Sequence, residues 1–278
     1  MRGLNTDLSA AVSKMLAHDA SPKGVHRLRT TIRRIESLVS YANPDIEKKL
    51  EHSLEKMADL RKRAGKVRDL DVQGDILGTL GNGSTAKDRK TLAALLEKKR
   101  HRQAQRLDAD VKRLQRSKFF NRMDLIAEQT GLLQDGKNRP LAPLEEARAQ
   151  LAEMASEFGA RQSIKKSRLH EARVTLKRIR YLAELADKTT EQKNFIRELK
   201  SVQDVIGDWH DWQELAGTAE KQFSDRVNCA LLREARTVLG ARHSDAMSAM
   251  NKLFTLALEP ARKPPRPAQS FRPSARYA

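Results

Sequence analysis

The chain has 278 residues with 54 Lys and Arg against 36 Asp and Glu, a formal net charge of +18, and is 39% hydrophobic and 32% charged. It is too apolar for a disordered polyelectrolyte and too charged for a membrane-spanning bundle. Only 4% of residues are aromatic and 13 are glycine, beside abundant Ala, Leu, Lys, Arg and Glu, which argues against sandwiches, barrels and Rossmann sheets and predicts an all-α fold.

From the N-terminus, residues 1–20 hold Asp7, Lys14, His18 and Asp19 and lack the apolar run of a secretory signal. No later stretch approaches a membrane span, so a cytoplasmic location is expected. Apolar residues then recur at helical spacing: Val25, Leu28, Ile32, Ile35 and Val39, followed by Ile46, Leu50, Leu54, Met57 and Leu60. Breaks fall at Ser21-Pro22, Asn43-Pro44, Gly78 to Thr85, Gly131 to Pro143 and Asp187 to Thr190. They divide the chain into about eight to ten helices. Thr91 to Arg116 reads as one long amphipathic helix, with Leu92, Leu95, Leu96, Leu107, Val111 and Leu114 inward and a solvated basic face outward.

The single cysteine, Cys229, excludes an internal disulfide and a cysteine zinc cage, and is expected to be a small buried hydrophobe. Residues 260–278 contain five prolines and five cations with no acid, so a disordered Pro/Arg-rich tail is expected over 261–278. The remaining 1–260 is expected to be one helical domain in two halves, about 1–135 and 136–260.

That division rests on an internal repeat. Val25 to Ile35 aligns without gaps onto Leu169 to Ile179, 144 residues later, and Leu60 to Leu70 aligns onto Val202 to Trp212, 142 residues later. The same two-helix phrase occurs twice in the same order, which predicts two tandem pseudo-symmetric bundles joined through the Gly131 to Pro143 linker.

On a helix advancing about 100° per residue, Val25, Leu28, Ile32 and Ile35 form one stripe and His26, Arg29 and Arg33 a second at its edge. The second copy reproduces both, with Leu169, Ala172, Leu176 and Ile179 inward and His170, Arg173, Lys177 and Arg180 beside them. Solvated cations usually lie opposite the apolar face, whereas these lie along its boundary. A lone boundary stripe is most simply paired with acids on a neighbouring helix. Duplicated stripes instead predict facing walls of one basic central groove, tolerable when acids or an anion occupy the space between.

Gly65 and Gly207 are read as helix C-terminal glycines, each just before a helix beginning near Asp69 or Asp208. Asp69 and Asp211 either cap those helices or orient a groove cation. The adjacent His210 and Asp211 are expected to point apart. Asp204, Asp208 and Asp211 are close in sequence, but with Gly207 interrupting the helix no metal site is expected. No Walker loop, nucleophile elbow, HExxH helix or EF-hand is present, and no catalytic residue, metal or cofactor is assigned.

A His-x-x-Arg-x-x-x-Arg/Lys-Arg helix followed by a Gly-x-x-x-Asp helix, occurring twice in an all-α chain, resembles the CHAD family, the conserved histidine α-helical domain. The motif is clearest in His170 to Tyr181 and Gly207 to Asp211, and the resemblance spans about residues 5–258. It implies two helical bundles around a basic central groove and binding of inorganic polyphosphate by the residues lining it. Carried over by position, the binding residues are His26, Arg29, Arg33 and Arg34, with His170, Arg173, Lys177, Arg178 and Arg180. Glu36 departs from the pattern at the position matching Arg180, where it either weakens one wall or pairs with a neighbouring arginine. Many relatives carry a CYTH triphosphate-processing domain; this chain lacks the ExExK signature, so a stand-alone, non-enzymatic binder is expected, with polyphosphate granules as its implied location.

Inorganic polyphosphate offers only oxygen acceptors, which suits forked Arg, flexible Lys and protonatable His and needs no stacking aromatics. Nucleic acid is the alternative partner, disfavoured because Trp209, Trp212, Tyr41, Tyr181, Tyr277 and a few Phe are the whole aromatic stock. A polyphosphate- or triphosphate-cleaving enzyme is the third reading, and it would require a metal-binding acid cluster facing the groove.

Overall fold

Pro22 and Pro44 each begin a helix, as their pre-set φ and missing N–H favour at the first helical position. In the computed structural model, which describes residues 2–17, 20–42, 44–80, 85–121, 143–159, 166–224 and 229–258, helix α1 spans Arg2–Ala17, α2 Pro22–Ala42, α3 Pro44–Thr79 and α4 Ala86–Arg116. The second half supplies α5 Pro143–Gly159, α6 Lys166–Ala183, α7 Thr190–Gln222 and α8 Ala230–Leu258. Among the described residues there is no strand, and no helix is long and apolar enough to cross a membrane. Residues 131–142 of the expected linker, and the tail from 261, lie outside the described residues, as do the side chains of Val39, Ile46 and Leu50.

Local signals set the helix starts. Ser21 Oγ accepts the Gly24 N–H at 3.3 Å ahead of α2, and Thr189 Oγ1 accepts the Gln192 N–H at 3.1 Å ahead of α7. Each half then closes in the same order: α1 on α2, α2 on α3, α3 on α4 and α4 back on α1; α5 on α6, α6 on α7, α7 on α8 and α8 back on α5. The apolar stripes fill the two interiors. Val25, Leu28, Ile32 and Ile35 are fully buried with Met57, Leu107 and Val111, and Leu169, Leu176 and Ile179 with Leu199, Ile206 and Met250. Truncating one of them, such as Ile32→Ala, costs about 2–5 kcal/mol.

The halves meet along α2 against α6 and α3 against α7. A third apolar cluster, with Leu77, Leu92 and Leu96 on one side and Trp212, Leu215 and Leu231 on the other, fastens one end of this seam. Thr218 Oγ1 also donates to Gln73 Oε1 at 2.8 Å between α7 and α3. Cys229 is buried in that cluster as expected, its Sγ 3.6 Å from Asp88 Oδ2.

Two expectations are overturned. Gly65 and Gly207 end no helix: α3 and α7 run through them without a break. A glycine inside a helix costs only about 1 kcal/mol against alanine, which long packed helices absorb. Asp208 therefore caps nothing and instead pairs with Arg242 Nε at 2.8 Å, and no break separates Asp204, Asp208 and Asp211.

Candidate functional site

Because α2 and α6 are adjacent across the seam, the stripes at the edges of their apolar faces come together. Lys177 on α6 lies within electrostatic reach of Arg173 on its own helix and of Arg33 and Arg29 on α2; Asp211 on α7 is the carboxylate that opposes them. Burial, followed by these three guanidiniums, pushes the Lys177 amine from 10.5 down to about 6. Arg29 and Arg173 are likewise lowered, first by burial, with Arg33 repelling both and Arg173 also repelling Arg29. Their guanidiniums stay charged regardless.

Acids from α3 and α7 hold these arginines in place. Asp69 Oδ1 lies 3.8 Å from Arg29 Nη1, and Asp211 is the foremost stabilising charge on Arg173, with Asp69 and Glu214 adding to it. Of the two roles open to Asp69 and Asp211, orienting a cation is the one the geometry supports, since no helix starts beside them. Gly65 lies beneath this pair, where an added Cβ would be 3.9 Å from Arg29 Nη2, in ordinary contact. The acids do not satisfy the site fully: the Nε atoms of Arg29, Arg173 and Arg180 are buried with no hydrogen-bond partner among the described residues. A buried N–H without an acceptor is costly. Three such donors lie where α2 and α6 meet.

The histidines lie at the solvent-accessible rim. Partial desolvation lowers His26, with Arg68 and then Arg29 adding to it; it also lowers His170, with His210 and then Arg173 adding and Glu214 opposing. His170 and His210 are stacked, ring centroids 5.3 Å apart and planes 28° apart, and His210 Nδ1 lies 3.5 Å from Asp211 Oδ1. The expectation that His210 and Asp211 point apart is thus wrong. His210 is a candidate site residue that sequence reasoning missed, although the 142-residue offset pairs it with Arg68, the cation beside His26.

The remaining expected residues behave differently. Arg34 and Arg180 are both held by Glu184, whereas Arg178 is exposed on α6. Glu36 pairs with Arg61, Oε2 to Nε 2.8 Å, which is the internal pairing of the two outcomes open to it. Among the described residues no three His, Cys, Asp or Glu side chains gather as a metal site would require.

The sequence profile of the CHAD domain matches residues 6–220. The chain belongs to the CHAD-domain family. A CHAD domain crystal structure from the plant Ricinus communis superposes with a TM-score of 0.66 at 16% identity, covering 91% of this chain and 87% of that one. PptA from Streptomyces chartreusis superposes with a TM-score of 0.56, also at 16% identity, covering 92% and 95%. No curated protein matches the sequence. At such identities the likeness of this CHAD chain to both structures is one of fold.

Proposed function

We propose that this CHAD protein binds inorganic polyphosphate in the seam between its bundles and catalyses no reaction. The observation that carries this reading is the meeting of Arg29 and Arg33 with Arg173 and Lys177 across the seam, together with the buried, unpartnered Nε donors of Arg29 and Arg173. A polyanion relieves the repulsion among the three guanidiniums, favours the ammonium form of Lys177, and supplies acceptors along the roughly 10 Å from residue 26 to residue 33 of α2. Nucleic acid would bring the same charge, but its bases need stacking or edge contacts. Among the described residues Trp209, Trp212 and Tyr181 are all buried. Association with polyphosphate granules belongs to the same proposal.

The test is competition for the full chain between long polyphosphate and single- or double-stranded DNA and RNA at equal charge concentration. Polyphosphate should win at physiological salt, its affinity should fall steeply as salt rises, and no phosphate should be released with or without magnesium. A win for nucleic acid would overturn the ligand, and sustained turnover would make the protein an enzyme.

A further inference from the structure

Where α6 ends, two of the arginines expected to bind anion meet an acid of the protein itself. Arg34 Nε, from α2, donates to Glu184 Oε2 at 3.2 Å, and Arg180 Nη1, from α6, lies 3.3 Å from Glu184 Oε1. Each carboxylate oxygen thus takes a guanidinium from a different bundle. Glu184 is fixed in this position: its side chain is only 20% exposed, and its backbone N–H donates to the Arg180 carbonyl at 2.9 Å. Arg180 is set from its other side by the Tyr181 ring, 4.7 Å from its guanidinium carbon. Bridging two guanidiniums is the contact that phosphate oxygens also make.

We propose that Glu184 is a built-in competitor for the anion, holding Arg34 and Arg180 until a bound chain displaces it. This rests on the polyphosphate reading and adds an affinity-setting residue to it. A chain anchored on Arg33 and Lys177 presents its next phosphates to Arg180 at high local concentration, since residues 177 and 180 are about 5 Å apart along the helix. The displaced carboxylate then returns to water. Placing an anion between Arg34 and Arg180 in the empty protein also relieves part of the repulsion of a +18 chain, which gives the contact a reason to exist without ligand.

The experiment compares the wild-type 278-residue chain with Glu184→Gln, Glu184→Asp and Glu153→Gln in binding long polyphosphate at fixed salt. Glu153→Gln makes the same charge change on an exposed position of α5. Glu184→Gln should tighten binding about tenfold, the scale of two charge-assisted hydrogen bonds exchanged for weaker ones. Glu184→Asp, one methylene shorter, should tighten it less, and Glu153→Gln less than twofold. The gain from Glu184→Gln should vanish when Arg34 and Arg180 are also replaced by Gln, because it acts through them. A Glu184→Gln affinity no better than that of Glu153→Gln overturns the inference, as does a gain that survives loss of both arginines. Should Glu184→Gln fail to fold, the aspartate variant decides, an unchanged affinity counting against. Wild type that does not bind polyphosphate overturns the functional reading itself, whereas binding without a gain overturns only the role of Glu184.

Discussion

Replacing Lys177 by methionine should stabilise the empty protein while weakening polyphosphate binding, because the amine is held where its charged form is least favoured. Its pKa stands at about 6 instead of 10.5, from burial first, then Arg173, Arg33 and Arg29, with Asp211 opposing. Between those values the unfolded chain keeps a proton that the folded chain has lost. Stability therefore rises with pH through that window, and the penalty is fully present below about pH 6. At pH 7 the interval up to 10.5 corresponds to at most roughly 5 kcal/mol. Methionine, similar in length and without the charge, should recover about 1–3 kcal/mol of this, raising Tm by roughly 3–10 °C.

Binding reverses the balance. Phosphate oxygens beside Lys177 favour its ammonium, so at pH 7 complex formation should draw nearly one proton onto this residue, and affinity should fall by up to about tenfold per pH unit between about pH 7 and 9. Titration calorimetry in buffers of different ionisation enthalpy reads the proton directly. Wild type should take up about one proton more than Lys177→Met. Equal uptake by the two proteins, or a Tm for Lys177→Met below that of wild type at pH 7, would show that Lys177 is not a buried amine repelled by its neighbours.

Arg33→Glu with Lys177→Glu should nearly abolish binding, while deletion of residues 261–278, which removes five cations, should weaken it only modestly; a larger effect of the deletion would mean that total charge, and not the seam, binds the chain. In the Lys177→Met background, His26→Gln with His170→Gln should flatten the remaining strengthening of affinity from about pH 8 to 6, because both imidazoliums are disfavoured in the empty site and favoured by a bound polyanion. Persistence of that dependence, or its loss on replacing His18, His52, His101 or His243 instead, would assign His26 and His170 to structure. Gly207→Ala should raise stability by about 1 kcal/mol, since nothing beyond its immediate chain neighbours and its own helix backbone lies within 4 Å of the added Cβ and the residue is inside α7; a destabilised variant in thermal melts would restore the helix-end role.

What this sequence determined by itself follows from chemistry that acts over a few residues. Pro22 and Pro44 start helices through their fixed φ, and the spacing of Val25, Leu28, Ile32 and Ile35 commits one face of α2 to a core whatever packs against it. The same spacing places His26, Arg29, Arg33 and their counterparts His170, Arg173 and Lys177 on one edge, so these members of the candidate site are legible without the fold. Gly65 and Gly207 mislead for a matching reason: local preference marks glycine as a helix end, and only packing along the whole of α3 and α7 carries the helix through. Tertiary structure alone decided which edges face each other. The approach of Arg33 to Lys177, the stacking of His210 on His170 and the hold of Glu184 on Arg34 all join residues far apart in the chain. Charge interactions and buried hydrogen bonds depend on distance through space and on exclusion of water, and neither is defined until two bundles have closed on one seam.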